Sequence, residues 1–292
     1  MPNARDIEAR CRPIEDADLD AVVDCLQRNF HDRSREYWSK GLAAMASRPR
    51  LPDFPCWGYL LEAESAVVGV LLQIGSLRED AGGHSLRSNL SSWCVDEAYR
   101  GFAFVLHRRS VSRVDATYVN ISAAPHTRKM IEALGFKRYA AGLMLFAPLL
   151  SRGAPGARIV EYAAETAEAA MLKPEERRLL ADHAAFGCRA LIGVRGGVAT
   201  PIVLQWRNVW RALVPSAHVL YCPSEDELAP FARALGVYCA RHGRFVVVVD
   251  AAGPVAGLVG KFLPGREPRY FKGPSKPAPC DLAYTELAIL GR

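Results

Sequence analysis

Long apolar runs are absent from this 292-residue sequence, although half of its residues are hydrophobic. No stretch reaches the roughly 18 apolar residues that a membrane-spanning helix needs. The first residues, Met-Pro-Asn-Ala-Arg-Asp, also lack the apolar core of a secretory signal. We therefore expect a cytoplasmic protein with reduced thiols and no membrane partner.

Metal-binding spacings and blocks of like charge are lacking as well. The eight cysteines form no CxxC pair and no cysteine-histidine spacing typical of zinc sites, so we expect no metal. The net charge of +6 comes from 37 basic and 31 acidic residues, with no block of five like charges. The composition therefore predicts no nucleic-acid partner. A mildly cationic surface suits either a polyanionic small molecule or simple solubility.

Length and composition predict two domains, residues 1–150 and 157–292, joined by the linker Ser-Arg-Gly-Ala-Pro-Gly. Periodicity predicts the order β-α-α-β-β-β-α-β-α-β in the first domain. The predicted elements are strand 9–14, a helix capped by Asp16, helix 35–47, strands 57–63, 67–74 and 86–95, helix 99–113, strand 116–121, helix 125–135 and strand 137–148.

The second domain is predicted to repeat much of this order. Its predicted elements are strand 158–162, a helix within 166–186, hairpin 191–205, strand 210–222, helix 224–243, strand 245–249, a helical piece at 254–262, and strands 269–272 and 282–290. Ser224 and Glu227 form a capping box, whereas Pro230 predicts a kink or a later helix start. The repetition favours a duplicated α/β domain.

The segment 92–106 carries the strongest functional signal. It is typical of a strand that passes through the turn Tyr99-Arg100-Gly101 into a helix. The first turn of a helix leaves unpaired N–H groups and a partial positive charge, which together favour a bound phosphate. The segment therefore predicts a candidate phosphate-binding turn.

Three motifs within residues 9–139 resemble the GCN5-related N-acetyltransferases. They are Glu62-Ala-Glu-Ser-Ala-Val-Val-Gly69, Tyr99-Arg100-Gly101 and Ile131-Glu-Ala-Leu-Gly-Phe136. The resemblance implies a tandem fold of that family with a mixed sheet in each half. It also implies an acyl-CoA in the first domain, with acyl transfer to an amine acceptor near the domain junction. The acyl-CoA-binding residues that it implies are Trp93, Cys94, Val95, Arg100, Gly101, Phe102, Ala103, Phe104 and Val105.

The sequence also departs from the family pattern. Val105 stands where that pattern has a small residue, Ile131 replaces a frequent tyrosine, and Ala124 replaces a frequent asparagine. In the second half, Cys-Pro-Ser-Glu-Asp-Glu places three carboxylates where a pyrophosphate would lie, so we expect this domain to assist rather than catalyse. Two alternatives stay open: a non-catalytic binding or assembly protein, and a ligase that uses aminoacyl-tRNA and needs a broad cationic surface.

Amine acylation requires a base for the ammonium and an acid for the leaving thiolate. The candidates for these roles are His126, Asn120 and Ser92. The alternative for His126 is a solvated histidine at a helix start, and Cys94 is interpreted as a packing residue. The segment 269–277 is interpreted as an acceptor site or a hairpin edge. A final group, Asp281, Tyr284 and Glu286, would share one face of a strand, to hold a cationic amine or to face solvent. A monomer and a homodimer are both compatible with the sequence.

Overall fold

The computed structural model describes residues 8–80, 83–209 and 213–291, which divide into two compact units. Unit 1 comprises the described residues up to Asn120 together with Gly273–Ser275 and Ile289–Gly291. Unit 2 comprises Ile121–Lys272 and Lys276–Ala288. Trp210, the first residue of the predicted strand 210–222, lies outside the described residues.

Unit 1 contains a five-stranded sheet among its described residues. Its elements are β1 (Arg10–Pro13), α1 (Leu19–Asn29), α2 (Arg35–Ala46), β2 (Gly58–Ala63), β3 (Ala66–Asp80), β4 (Gly83–Val95), α3 (Ala103–Ser110) and β5 (Ala116–Asn120). The strands follow the order β1-β2-β3-β4-β5, and only β4 and β5 pair in parallel.

Unit 2 contains a seven-stranded sheet among its described residues. Its elements are α4 (Arg128–Ala133), β6 (Lys137–Phe146), β7 (Arg158–Glu161), α5 (Ala167–Ala170), α6 (Pro174–Ala185), β8 (Arg189–Arg195), β9 (Val198–Val209), β10 (Val214–Tyr221), α7 (Glu225–Leu228), α8 (Ala232–Arg241), β11 (Val246–Ala251), β12 (Gly260–Lys272) and α9 (Glu286–Ile289). The order is β7-β8-β9-β10-β11-β6-β12, with only β10 and β11 parallel.

The two units share one pattern of strand pairing. In unit 1 the strands β1 to β4 are antiparallel neighbours and β4 pairs in parallel with β5; in unit 2 the strands β7 to β10 are antiparallel neighbours and β10 pairs in parallel with β11. Helices connect β1 to β2 and β4 to β5 in unit 1, and β7 to β8 and β10 to β11 in unit 2. This arrangement confirms the predicted mixed α/β fold. The two compact units divide after Asn120, because β6 pairs with β11 and β12 of unit 2. The domain ranges 1–150 and 157–292 stay a prediction.

Each sheet is covered by helices with one apolar face. In unit 1, α1 buries Val22, Val23 and Leu26, as its helical spacing predicts. In unit 2, α8 buries Leu235 and Cys239 in a core that includes the central valines of β11. None of the helices in the described ranges is long and apolar enough to cross a membrane.

Several predicted element boundaries are wrong for local reasons. Asp16 does not cap α1, because it lies in a 3-10 turn, Asp16–Asp18, that precedes the helix. The long helix predicted within 166–186 is α6, which begins only at Pro174 and is preceded by the short α5. Pro230 lies in a 3-10 turn between α7 and α8, which resolves its conflict with a continuous helix.

Two predictions near the end of the chain are also wrong. Residues 254–262 form no helix, and Gly260 already begins β12. Residues 282–290 form no strand but turn into α9, so Asp281, Tyr284 and Glu286 do not alternate along one face. Tyr284 adopts a φ of 57°, which breaks an extended chain at that position.

Candidate functional site

The fourth strand of unit 1 is interrupted by a bulge at Ser92. Ser91 pairs with Leu72 and Cys94 pairs with Val70, so two residues of β4, Ser92 and Trp93, lie opposite one residue of β3. Ser92 has a φ of 53°, a left-handed conformation that costs a non-glycine residue on the order of 1–3 kcal/mol. Bulges of this kind bend a strand and are frequent beside active sites. The strain makes this position a functional candidate.

The bulge coincides with the point where β4 and β5 stop pairing. Their parallel register runs from Leu86 to Asn89 on β4 and from Ala116 to Val119 on β5. From Leu90 to Val95, β4 continues to pair with β3, but β5 ends at Asn120. Within the described part of unit 1, this side of the strand pairs with no further strand. A ligand with amide groups can pair with a strand edge that no neighbouring strand occupies.

The strand then enters a helical turn. A 3-10 segment, Glu97–Phe102, leads directly into α3. One amide of this segment and the first amide of α3 are already paired, because Tyr99 N donates to Asp96 O over 2.9 Å and Ala103 N donates to Arg100 O. The Arg100 guanidinium is exposed and lies 3.7 Å from the Glu97 carboxylate. A Cβ at Gly101 would meet no atom within 4 Å, so this glycine leaves the surface of the turn open.

Asp96, at the start of the turn, is held by α1. Its carboxylate accepts bonds from Arg28 Nη2 over 2.7 Å and from Asn29 Nδ2 over 2.8 Å. Arg28 Nη2 also donates to Val67 O over 2.5 Å, and its pKa is raised chiefly by the bond to Asp96. Asp96 therefore fixes the turn against α1 rather than serving as a free base. Sequence reasoning missed Arg28 and Asn29, since no motif marks a contact between residues this far apart.

The predicted acyl-CoA residues on β4 form a wall with little exposure. Cys94 is buried, and the neighbouring Cys25 thiol of α1 together with burial raises the pKa of the Cys94 thiol well above its usual value. The Trp93 ring lies 5.1 Å from the buried His107 ring. Trp93 Nε1 is buried and has no hydrogen-bond partner among the described residues. The interpretation of Cys94 as a packing residue agrees with these contacts.

The helical half of the predicted set is more exposed. The side chains of Phe104 and Val105 retain 56% and 45% of their accessible surface, and Gly101 is exposed. Phe102 and Ala103 are half-buried. The structure therefore arranges Trp93 to Val105 as one continuous feature, from the bulged strand edge to the first turn of α3.

The three proton-transfer candidates do not fall in one unit. Ser92 lies at the bulge, where its hydroxyl is 3.0 Å from that of Ser91. Asn120 is the last residue of β5 and is partly exposed. His126 is exposed in a 3-10 turn of unit 2, Pro125–Thr127. Unit 1 thus contains two of the three candidates, Ser92 and Asn120, both just beyond the last paired residues of β4 and β5.

The same place in unit 2 is filled by the chain itself. The pairing of β10 with β9 shifts between Val219 and Tyr221, so β10 also carries a bulge near its end. Beyond this bulge, Leu282 N donates to Leu220 O over 2.8 Å, and Asp281 bridges to Tyr221. Since the other side of Tyr221 pairs with β9, the segment 281–282 occupies the side that β11 has left. Unit 2 therefore offers no open strand edge here.

The helix that follows this strand, α7, has a serine cap and an acidic first turn at its N-terminus. Ser224 Oγ accepts a bond from Glu227 N over 3.2 Å, as the capping box predicts. Glu225, Asp226 and Glu227 occupy the first turn of α7. These carboxylates stabilise the helix dipole but would repel a phosphate. The cysteine that follows the bulge, Cys222, is fully buried and accepts a bond at its carbonyl from the thiol of Cys280.

The predicted acceptor segment 269–277 begins with a buried charge cluster. Arg269 is fully buried, and its Nε donates to Asp250 Oδ1 over 2.6 Å. Asp250 Oδ2 accepts a bond from His218 Nε2 over 2.7 Å, and Glu267 Oε2 lies 3.2 Å from Arg269. Burial lowers the pKa of His218, whereas Arg269 and His218 together hold that of Asp250 below its usual range despite burial. Arg269 is therefore a structural cation and not an acceptor-binding one.

Comparisons with known proteins identify the fold. No family model matches the sequence, and no curated protein matches it. A putative acetyltransferase from Pyrococcus horikoshii is similar in structure, with a TM-score of 0.57 and 13% identity over 97% of this chain and 96% of that one. GCN5-related N-acetyltransferases from Anabaena variabilis (TM-score 0.58, 11% identity) and Kribbella flavida (0.57, 16%) each match 91% of this chain and 72% of theirs. The chain therefore has the fold of the GCN5-related N-acetyltransferases, and the likeness spans both units.

Proposed function

We propose that this protein is an acyl-CoA-dependent N-acyltransferase with a single acyl-CoA site, in unit 1. The observation that carries the proposal is the bulge at Ser92, with the strand edge that β5 leaves open and the helical turn that follows. The similar structures from Pyrococcus horikoshii, Anabaena variabilis and Kribbella flavida, which are described as acetyltransferases, support the reaction class.

The chemistry of acyl-CoA matches this edge and turn. The pantetheine arm contains two amide groups, which can hydrogen-bond to the backbone from Ser92 to Val95 in the manner of an added strand. The pyrophosphate would then lie at the turn around Gly101, where amides at the start of α3 favour negative charge. Trp93 and Cys94 would form the wall beside the acyl group. In unit 2, the segment 281–282 would have to leave before any such ligand could bind.

Direct transfer would proceed within unit 1 without a covalent intermediate. The amine attacks the thioester carbonyl and gives up a proton to a base, the C–S bond breaks, and the thiolate takes a proton as CoA leaves. Ser92 is the candidate donor of that proton, because its hydroxyl lies at the bulge with the Ser91 hydroxyl 3.0 Å away. Asn120 is a candidate to orient the amine. His126 stays a separate candidate base, to be tested by its own variant.

Donor binding is tested by thermal unfolding with acetyl-CoA, longer acyl-CoAs and free CoA. A ligand that binds only the folded chain stabilises it by about 2.7 kcal/mol at a hundredfold excess over its Kd. For units of this size, that amounts to a rise in Tm of about 5–10 °C. We expect a saturable rise with at least one acyl-CoA. The absence of a shift with every donor would refute the proposal.

The role of Ser92 is tested with a matched pair of variants. Ser92→Gly keeps the bulge and relieves its left-handed strain, whereas Ser92→Ala removes the hydroxyl and keeps the strain. If the hydroxyl transfers a proton, both variants lose turnover while retaining acyl-CoA binding. If only the backbone conformation matters, Ser92→Gly keeps full turnover and the assignment is wrong.

A non-catalytic binding protein is the second candidate, and the turn itself favours it. The amides of Tyr99 and Ala103 are paired within the chain, and the Glu97 carboxylate stands beside Arg100. Both features reduce the attraction for a pyrophosphate. Binding of acyl-CoA without release of CoA in the presence of a broad set of amines would favour this candidate.

A further inference from the structure

A concave surface in unit 2 is lined by none of the residues of the bulged strands or of the turns that follow them. It has a volume of about 550 Å³ and lies between the segment 153–159 and the exposed stripe of α8. This volume falls within the range of small-molecule sites, roughly 300–1,000 Å³. Its lining residues are Gly153, Ala154, Pro155, Ala157, Arg158, Ile159, Arg233, Ala234, Val237, Tyr238 and Arg241.

The shape of this cavity is fixed by backbone contacts. Ala154 N donates to Pro230 O over 2.8 Å, and Ala157 N donates to Ala154 O over 3.2 Å. Gly153 allows the segment to approach α8 closely, because a Cβ there would lie 2.8 Å from Arg233 Cβ. The cavity wall is therefore built by the fold and does not depend on loose side chains alone.

The lining combines small apolar side chains with three arginines and contains no carboxylate. The two acidic residues nearby are engaged: Glu168 pairs with Arg158 over 2.8 Å, and Glu161 accepts the Tyr238 hydroxyl over 2.7 Å. Within the described residues, the guanidinium groups of Arg233 and Arg241 form no ion pair and no hydrogen bond. Two uncompensated cations in a concave surface concentrate positive potential there.

The aromatic part of the lining is held rigidly. The Tyr238 ring stacks on Trp206 at 6.3 Å with an interplanar angle of 24°. Its hydroxyl is occupied by Glu161, so the ring presents carbon atoms to the cavity. Arg244 lies 4.6 Å from the Trp206 ring and adds a cation–π contact to the stack. The cavity thus offers an apolar floor between two guanidinium-bearing residues of α8, Arg233 and Arg241.

We propose that this cavity binds a small amphipathic anion, an apolar body that carries one carboxylate or phosphate group. Guanidinium groups bind both anions through paired hydrogen bonds. The anionic group would lie between Arg233 and Arg241, and the apolar body would lie against Ala234, Val237 and Tyr238. This site is separate from the acyl-CoA site proposed for unit 1.

The test is isothermal titration of the full chain with decanoate and decyl phosphate. Inorganic phosphate and decyltrimethylammonium are the probes that lack, respectively, the apolar body and the negative charge. We expect saturable 1:1 binding of at least one decyl anion, and the stronger of the two identifies the anionic group. Binding of neither anion up to millimolar concentration, or equal binding of the cationic probe, would overturn the proposal.

Variants locate the binding. Arg233→Ala and Arg241→Ala are each expected to weaken binding by tenfold or more, and Ala234→Trp is expected to abolish it by filling the cavity. Arg195→Ala, which removes the same charge from the exposed end of β8, is the matched control and is expected to bind normally. Circular dichroism and Tm establish that each variant is folded. Unchanged affinity in both cavity arginine variants, or in folded Ala234→Trp, would refute this location.

Discussion

Replacement of Gly101 by aspartate should weaken acyl-CoA binding at the turn without destabilising the fold of the turn. A Cβ at this position meets no heavy atom within 4 Å, and Gly101 is absent from the positive-φ positions of the chain. The free protein should therefore tolerate any side chain here. Gly101→Ala should even stabilise it by about 0.5–1 kcal/mol, because glycine loses more conformational freedom than alanine when a helical segment forms.

The expected effect on acyl-CoA binding is large only for the charged side chain. Two unit charges about 4 Å apart repel by about 1 kcal/mol in water and by about 4 kcal/mol at the effective dielectric of a protein surface. Gly101→Asp should thus weaken acyl-CoA binding by between about fivefold and a thousandfold. Gly101→Asn has nearly the same shape without the charge and controls for steric clash with the ligand.

The assay is titration calorimetry on the three variants at two salt concentrations. We expect Gly101→Asp to lose affinity relative to Gly101→Asn, and the gap to narrow in 0.5 M salt as the charges are screened. The melting temperature of unliganded Gly101→Asp should equal or exceed that of the unsubstituted chain. Equal acyl-CoA affinity for the aspartate and asparagine variants would refute a pyrophosphate at this turn.

Three further predictions concern the stability of unit 2. Asp250→Asn should lower the free energy of unfolding by about 3–5 kcal/mol in urea titrations, because it leaves the buried Arg269 without its main counter-charge. His218→Gln should flatten the dependence of the free energy of unfolding on pH. The pKa of His218 in the folded protein lies below 6.5, so the stability that the neutral imidazole contributes is fully present above pH 6.5 and is lost as the pH falls. The loss is at most about 1.4 kcal/mol per pH unit. Gly193→Ala should destabilise by about 1–3 kcal/mol, since its Cβ would lie 2.9 Å from the buried Phe231 ring.

Matched variants control these measurements. Asp115→Asn removes an exposed partner of Arg113 and should change stability far less than Asp250→Asn. His31→Gln makes the same substitution at an exposed position and is the control for His218→Gln. Gly253→Ala adds a Cβ that meets nothing within 4 Å. If any of these controls matches its buried counterpart, the corresponding contact does not carry the stability assigned to it.

Local patterns predicted most of the regular elements, because they depend on neighbours in sequence. The hairpin of β2 and β3 follows from the apolar runs on either side of Glu64 and Ser65, both of which adopt positive φ as a tight turn requires. The α2 helix begins where Ser34 caps it, with its hydroxyl accepting from Tyr37 N. These features need no knowledge of distant residues.

The failures occur where distant contacts decide the conformation. Gly260, Pro264 and Gly265 suggest a break in the chain, yet they lie in β12 because that strand pairs with β6. Gly260 is needed there, since a Cβ would lie 2.0 Å from Leu145 O. The segment 282–290 reads as a strand from its alternation, but Leu282 is bound to Leu220 and the chain turns at Tyr284.

The sequence predicted which residues form the candidate site, but it did not predict the bulge that shapes the site. The sequence 92–106 indicated a strand, turn and helix, and the structure has that order. The left-handed conformation of Ser92 could not be predicted, since serine has no preference for it and the bulge depends on the register of β3 against β4. The filled edge of β10 was equally unpredictable, because it joins residues about sixty positions apart.

The number of acyl-CoA molecules bound per chain tests the central claim most directly. Calorimetric titration with the preferred acyl-CoA should give one site per chain, and Gly101→Asp should abolish or strongly weaken it. Two sites would contradict the conclusion that residues 281–282 close the strand edge in unit 2. One site that Gly101→Asp leaves intact would contradict the assignment to unit 1, and no site would contradict the proposed function itself.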